Sequence, residues 1–135
     1  MAAPFHLDIL AASVPFYRGD CVSLVVPTAD GEFGILADHC NAVGAICAGE
    51  LRFETAEGEV RRAAVAPGLF KIEDGRVLLL VDAAERPEDI DVNRALRARE
   101  EAEEQLRQKR SMVEYQLAQG NLARALNRLR VSGKM

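Results

Sequence analysis

The sequence predicts an α+β protein, in which an N-terminal antiparallel β-sandwich is followed by a C-terminal antiparallel hairpin of two helices. As far as Ala84, short apolar or alternating runs are separated by turn residues every several positions, which favours a sandwich or a flattened barrel. No proline occurs after Pro87, and from Val92 onward small and apolar residues recur at helical spacing. We therefore expect a sandwich domain at residues 1–84 and a helical arm at residues 85–135.

The strands of the sandwich are predicted from alternation, apolar runs and turn residues. Residues 5–9 alternate as a half-buried strand should, whereas residues 14–19 are expected to form a connector because they contain Pro15. The next strand, 21–26, is expected to stop at Pro27, and Asp74-Gly75 is the strongest hairpin turn because both positions tolerate positive φ. Further strands are predicted at 31–36, 43–47, 51–55, 60–65, 69–72 and 76–81, the last apolar enough to be buried on both faces.

The helical arm begins after a joint that runs from Ala84 to Ala95. Pro87 suits the start of a helix, and Asp89 or Asp91 can cap its first N–H groups. The first helix has a narrow stripe of Ala95, Ala98, Ala102 and Leu106, and its expected end is Gln108-Lys109-Arg110. Ser111-x-x-Glu114 is a capping box that opens a second helix, whose expected stripe is Leu117, Leu122, Ala125, Leu126 and Leu129.

Composition and charge narrow the functional classes. The 135 residues are 49% hydrophobic with no Trp, and no apolar run approaches the roughly 20 residues of a membrane span. The N-terminus lacks the features of a signal peptide, and Cys21, Cys40 and Cys47 form no C-x-x-C pair, so a cytosolic bacterial protein is expected. Residues 1–84 carry 6 basic and 12 acidic side chains, and residues 85–135 carry 11 and 9. A mildly basic arm is suited to binding an acidic protein surface, but it lacks the clustered Lys and Arg and the stacking aromatic residues typical of nucleic-acid binding.

No enzymatic or metal-binding motif stands out. The sequence contains no phosphate-binding G-x-x-x-x-G-K-[ST] loop, no G-x-S-x-G elbow and no H-E-x-x-H helix. Asp38-His39-Cys40 are adjacent on a predicted loop, and three adjacent side chains cannot converge on one tetrahedral ion without distant partners. A non-catalytic protein without a metal is therefore the prediction.

The motifs in order resemble one family, the epsilon subunits of F-type ATP synthases, over essentially the whole chain. Each motif is weak alone, but their order and spacing over a chain of this length make the resemblance specific. The motifs are His6-Leu7-Asp8, Gly31-Glu32-Phe33-Gly34-Ile35-Leu36 with His39, Gly49-x-Leu51-Arg52, Gly68, Ala84-Glu85, Ile90-Asp91-x-x-Arg94-Ala95 and Ala125-x-Asn127-Arg128-Leu129.

The resemblance implies a non-catalytic subunit of the central rotor stalk, which couples proton flow to ATP synthesis. Its implied partners are the gamma subunit, the membrane c-ring and the alpha and beta catalytic subunits, at the cytoplasmic face of the bacterial plasma membrane. The arm would fold down on the sandwich or extend along gamma and restrain ATP hydrolysis. No cofactor is obligatory, but ATP is an implied regulatory ligand. The implied site residues are Glu85, Ile90, Asp91, Arg94, Ala95, Arg124 and Arg128 for ATP, and Glu32 and His39 for the c-ring.

Three departures from the family pattern bear on these expectations. Cys40-Asn41-Ala42 follows His39 where the family commonly has small-Pro-Leu, and Pro67 stands where glycine is usual. Gly120-Asn121 interrupts the second helix, and glycine costs about 1 kcal/mol relative to alanine in a helix. The arm, whose alanine stripe buries little area, is therefore expected to be marginally stable.

Two other functional classes remain open from the residues alone. The joint motif by itself would fit a freestanding ATP-binding sensor, which should not travel with a gamma subunit on purification. An unrelated structural β-protein with a coiled-coil tail would require heptads sustained over three or four repeats, and the short helical stretches lack them. For Asp91 alone, a helix cap is the simpler interpretation, and for Arg124 and Arg128, one turn apart, a solvated helix face is simpler.

Overall fold

The computed structural model describes residues 3–108 and 111–133, and the predicted α+β fold class is confirmed. The chain divides into two compact units that meet between Glu85 and Arg86. Within residues 3–85, nine strands precede the helical part. They are β1 (Phe5–Ala11), β2 (Val14–Thr28), β3 (Gly31–Ile35), β4 (Ala42–Ile46), β5 (Gly49–Thr55), β6 (Val60–Val65), β7 (Gly68–Glu73), β8 (Arg76–Val81) and β9 (Ala84–Glu85).

The strands form one hydrogen-bonded path that doubles over on itself. The order is β4-β7-β8-β1-β2-β5-β6-β9, and β3 pairs with β2. The 15-residue strand β2 joins the two halves of this path, because its first half pairs with β1 and its second half pairs with β3 and β5. All pairs are antiparallel except β1 with β8, which is parallel and which the residue pattern did not predict.

The core of this unit is aliphatic, as the composition predicts. Alternate residues of β1 and β5 are buried, and Leu7, Ile9 and Leu51 are fully shielded from solvent. Phe33 and Phe70 stack at a ring-centroid distance of 5.3 Å on one side of this core. Every buried member of the core cluster lies between Phe5 and Val81, so the sandwich supplies its own hydrophobic interior.

The joint and the arm begin with a turn and a cap. Pro87–Asp89 forms one turn of 3-10 helix that starts at Pro87, and the next residue, Ile90, is buried. Helix α1 (Val92–Gln108) and helix α2 (Met112–Ser132) pack against each other. Ser111 accepts a 3.1 Å hydrogen bond from the backbone N–H of Glu114, which confirms the predicted capping box. Residues 109 and 110, part of the predicted basic end of α1, lie outside the described residues.

The alanine stripe of α1 is confirmed, since Ala95 and Ala102 are buried and Ala98 and Leu106 are half-buried. Helix α2 runs through Gly120 without a break. Its expected stripe is wrong at Leu117, whose side chain is 62% exposed, because Ala118 takes the buried position in that turn.

Three expectations for the strands are wrong. Residues 14–19 belong to a strand rather than to a connector. Pro15 pairs with Leu10 at the point where the β1–β2 register shifts. The backbone N–H that proline lacks is least needed at such an irregularity. Strand β2 also continues through Pro27 to Thr28. Strand β8 is buried on one face only, and Leu80 is 44% exposed.

Candidate functional site

The joint is organised by Asp91. Its side chain accepts a 3.0 Å hydrogen bond from the backbone N–H of Arg94, and its backbone carbonyl accepts from the N–H of Ala95 at 3.0 Å. Asp91 is therefore the N-cap of α1, and the alternative cap, Asp89, lies in the 3-10 turn before it. This bond also sets the start of the helix, so that Arg94 is exposed and Ala95 is buried.

The two arginines of α2 line one cavity of the hairpin. Arg124 and Arg128 are four residues apart and so project from one side of the helix. The cavity has a volume of about 210 Å³, and a side-chain amide and a carboxylate of α1 face the arginines across it. The lining residues are Ala98, Glu101, Ala102, Gln105, Asn121, Arg124, Ala125 and Arg128.

The cavity is suited to part of an anionic ligand. Its lining carries two guanidinium groups and one carboxylate, Glu101, so its formal charge is positive. Arg124 donates a hydrogen bond to the side-chain oxygen of Asn121, which holds the guanidinium on this side of α2. The volume is below the roughly 300–1,000 Å³ of common small-molecule pockets, so a nucleotide would place only some of its groups here.

The predicted ATP residues are thus brought together only in part. The helix cap joins Asp91, Arg94 and Ala95, and Ile90, which precedes Asp91 in the chain, is buried. Arg124 and Arg128 line the cavity instead. Among the described residues, those that line the cavity do not include Ile90, Asp91, Arg94 or Ala95. Glu85 belongs to the sandwich unit, where it pairs with Ala64 at the end of β9.

The two predicted c-ring residues lie at different sides of β3. Glu32 is on the strand with its side chain 59% exposed, and it is paired with Arg52. His39 follows the strand in a loop and is half-buried, because its ring packs edge-on against Phe33 at 5.4 Å between centroids. Neighbouring residues of a strand point to opposite sides, so His39 lies on the side of Phe33 rather than on that of Glu32.

Four charged side chains form a network of ion pairs that the sequence analysis missed. The Nη2 atom of Arg52 lies 2.5 Å from Glu32 Oε2, and its Nη1 atom lies 3.3 Å from Glu50 Oε1. Arg62 approaches Glu50 Oε2 at 2.5 Å. The hydrogen bond donated by Arg62, helped by Arg52, holds the pKa of Glu50 below its ordinary value despite partial burial.

A sequence signal for this network exists. Glu50 and Arg52 are two apart on β5 and share a face, and Arg62 stands opposite Arg52 on β6. The resemblance named Gly49-x-Leu51-Arg52 but attached no role to Arg52, and the pairing of β5 with β6 is needed to place the charges together.

The fold thus defines a two-part protein, a β-sandwich followed by a helical hairpin. Residues 4–87 match the family described as ATP synthase, Delta/Epsilon chain, beta-sandwich domain, and residues 88–133 match its long alpha-helix domain. The chain belongs to the delta/epsilon chain family of ATP synthase, as the motifs predicted. It is a non-catalytic subunit rather than an enzyme in its own right, which confirms that prediction.

Similar proteins span the whole chain. A protein named ATP synthase epsilon chain from Ruminiclostridium cellulolyticum is 39% identical over 132 residues, covering 98% of both chains. One of the same name from Caldanaerobacter subterraneus is 41% identical over 135 residues, covering 99% of this chain and 97% of the relative.

Solved structures support the fold. A chain in a cryo-EM structure of the Euglena gracilis mitochondrial ATP synthase superposes with a TM-score of 0.79 at 20% identity, covering 99% of this chain and 80% of that one. A chain in a cryo-EM structure of the central stalk and c-ring of Tetrahymena thermophila mitochondrial ATP synthase gives a TM-score of 0.68 at 8% identity, covering 97% of this chain and 98% of that chain. At such identities the likeness concerns the fold alone.

Proposed function

We propose that the protein is the epsilon subunit of a bacterial F-type ATP synthase, a rotor component that couples proton flow to ATP synthesis. The observation that carries this proposal is the full-length match: both family domains occur in order over residues 4–133. Relatives named ATP synthase epsilon chain cover 98% or more of this chain. Gamma, the c-ring and the catalytic subunits are the proposed partners.

The proposed location is the cytoplasmic face of the bacterial plasma membrane, where the subunit is held by the rest of the complex. In the described part of the chain, neither helix is long and apolar enough to cross a membrane. The acidic sandwich, with 12 acidic against 6 basic side chains in residues 1–84, favours basic surfaces on those partners.

The hairpin is proposed to sense ATP. The phosphates would lie between Arg124 and Arg128, since a guanidinium binds anions with two parallel hydrogen bonds. Asp91 and Arg94 at the start of α1 would complete the site around Ile90 and Ala95, and Glu85 is included on the resemblance alone. Bridging the two helices with one ligand would favour the folded hairpin over an extended one.

The energetic scale supports such a switch. A ligand that binds only the folded hairpin stabilises it by about 1.4 kcal/mol for each tenfold excess over its dissociation constant. Four buried residues of the two helices are alanines, Ala95, Ala102, Ala118 and Ala125, which each bury little apolar area, while the larger buried side chains Leu129 and Val131 lie near the end of α2. A bias of this size can then decide the population. At low ATP the mildly basic arm would reach an acidic surface of a catalytic subunit and restrain hydrolysis.

The c-ring contact is proposed at Glu32 and His39. Glu32 is exposed, which supports the proposal. The ring of His39 is only half-exposed, because it packs against Phe33. Replacing both with alanine should cost the isolated subunit more than the about 0.5 kcal/mol typical of exposed substitutions, because it also removes the packing of His39 on Phe33 and the ion pair of Glu32 with Arg52. The same replacement should impair coupling of proton flow to ATP synthesis in the assembled enzyme.

Co-purification tests the proposed function against the freestanding sensor. A tagged copy of this chain, expressed with the other subunits of its complex, should carry gamma with it through a high-salt wash. Membranes that contain the complex should pump protons on addition of ATP. A protein that binds ATP but never retains gamma would be a freestanding ATP-binding sensor, and the assignment to the rotor stalk would be wrong.

A further inference from the structure

The cavity between α1 and α2 has a floor of alanines and walls of polar side chains. Each helix contributes four residues at the spacing i, i+3, i+4 and i+7, which places them along one side of that helix. Ala102 of α1 and Ala125 of α2 are buried, and their short side chains leave space between the helices unfilled. The longer polar side chains beside these alanines are exposed or half-buried, so they form the walls of the cavity of about 210 Å³.

The two helices contribute opposite charges to these walls. Arg124 and Arg128 belong to α2, and Glu101, on α1, is the carboxylate among the described residues that line the cavity. Arg124 donates a hydrogen bond to the side-chain oxygen of Asn121, so a neutral partner holds its guanidinium at the cavity. Because Glu101 lines the same small space as the two guanidinium groups, it acts on the same ligand. It repels an anion that the arginines attract.

The Glu101 carboxylate is available to a ligand, because its side chain is exposed. The ion pairs that the structure describes within α1 join Arg99 to Glu103 and Arg107 to Glu104, and neither pair includes Glu101. The charge of Glu101 is therefore not neutralised by a pair within its own helix.

The form of the nucleotide decides whether this carboxylate hinders or helps binding. Free ATP presents its full negative charge to Glu101, whereas Mg²⁺ on the phosphates neutralises part of that charge. In proteins, Mg²⁺ is usually bound through one or two carboxylates together with the phosphates of the substrate. A carboxylate beside the phosphates can therefore face the metal ion of the Mg²⁺-bound form, but it only repels the free form.

We propose that Glu101 is a specificity-determining residue of the nucleotide site, and that it biases the cavity toward ATP that carries Mg²⁺ and against free ATP. This inference rests on the proposed binding of ATP in the hairpin, and it adds which form of the nucleotide the site takes. Arg124 and Arg128 attract both forms and favour the more negative one. Glu101 acts in the opposite direction, so α2 supplies affinity for phosphate and α1 supplies the selection.

The test is calorimetric titration of the isolated full-length subunit with ATP, once in excess magnesium chloride and once in excess EDTA, at matched ionic strength. E101Q removes the charge and E101K reverses it, and both introduce good helix formers, so α1 is preserved. E100Q is the matched control, because Glu100 is exposed on the same helix and does not line the cavity in the described structure. The quantity compared is the dissociation constant for free ATP divided by that for ATP with Mg²⁺.

We expect E101Q to lower this ratio about two- to fivefold, which is the effect of one exposed charge interaction. E101K should lower the ratio further, and E100Q should keep the wild-type ratio. The melting temperature without nucleotide should stay close to that of the wild type in every variant. A merely structural role of Glu101 would instead shift the melting temperature and leave the ratio unchanged.

Three outcomes would overturn the proposal. An unchanged ratio in E101Q and E101K, with ATP still bound, would show that Glu101 does not select the form of the nucleotide, and it would leave the proposed ATP site intact. An equal fall of the ratio in E100Q would assign the effect to the net charge of the arm rather than to the cavity. Absence of heat from the wild type with both forms of ATP would remove the ATP site and this inference together.

Discussion

The Asp91 side chain accepts a hydrogen bond from the backbone N–H of Arg94 at 3.0 Å, which makes one carboxylate both the cap of α1 and a candidate ligand group. The two roles differ in what they require. A cap requires a side-chain oxygen, and asparagine supplies one about as well as aspartate. An electrostatic role toward a ligand, such as attraction of a cation bound to it, depends on the negative charge.

Replacement of Asp91 therefore separates the two roles. Asp91→Ala should lower the stability of the arm by about 1 kcal/mol, because an N-cap is lost. Asp91→Asn should leave that stability nearly unchanged while it weakens any ATP-induced rise in melting temperature. Far-UV circular dichroism melts with and without ATP measure both effects. A full ATP response in Asp91→Asn would show that the charge of Asp91 plays no part in ATP binding.

Gly120 offers a way to stabilise the hairpin. It lies inside α2, and a Cβ added there would make only ordinary contact, 3.5 Å from a terminal nitrogen of Arg124. Gly120→Ala should therefore stabilise the arm by about 1 kcal/mol through helix propensity. A rise in the unfolding midpoint of the helical signal checks this.

Gly68 is the contrasting position. A Cβ at Gly68 would collide with the backbone carbonyl of Leu80 on the paired strand, so Gly68→Ala should destabilise the sandwich. If Gly120→Ala destabilised the protein as well, the conformation of α2 around residue 120 would differ from that described here.

The sandwich should fold without the arm. Its buried core cluster ends at Val81, and β9 completes the sheet at Glu85. A fragment of residues 1–85 should melt in one cooperative transition and keep its β-sheet circular dichroism. A fragment that binds hydrophobic dyes and melts without a transition would mean that the helices are part of the core.

The pairing of Glu50 with Arg62 predicts a pH dependence. Because the folded-state pKa of Glu50 is lowered, its contribution to stability is present above the unfolded pKa of about 4.3 and is lost as the pH falls through the folded value. Glu50→Gln should therefore be less stable than the wild type at neutral pH, and the two should converge as the pH falls below the lowered folded-state pKa of Glu50. Melting temperatures across the acid range measure the difference, and parallel curves would contradict it.

The sequence predicted features that depend on local chemistry. The turn at Asp74-Gly75 has φ angles of 53° and 79°, as a two-residue hairpin turn requires, and the Ser111 cap follows from a four-residue pattern. Features that depend on strand pairing were missed, among them the strand at Pro15, the parallel β1–β8 pair and the exposed face at Leu80.

The candidate site shows the same division. The cap at Asp91 and the one-turn spacing of Arg124 and Arg128 are local, and both were found from the sequence. Arg52 could not be assigned, because its partner Glu32 is 20 residues away and lies across an intervening strand. Glu101 and Gln105 were likewise missed, since only the packing of α1 on α2 brings them to the cavity of the arginines.

Isothermal titration calorimetry of the isolated full-length subunit with millimolar ATP tests the nucleotide-sensitive arm most directly. We expect saturable heat for the wild type, and loss of that heat in Arg94→Ala and Arg128→Ala while the sandwich stays folded. Arg107→Ala is the matched control, because Arg107 pairs with Glu104 on α1 and does not line the cavity of the arginines in the described structure. Heat in the wild type that all three variants retain, or no heat at all, would contradict an ATP site in the hairpin.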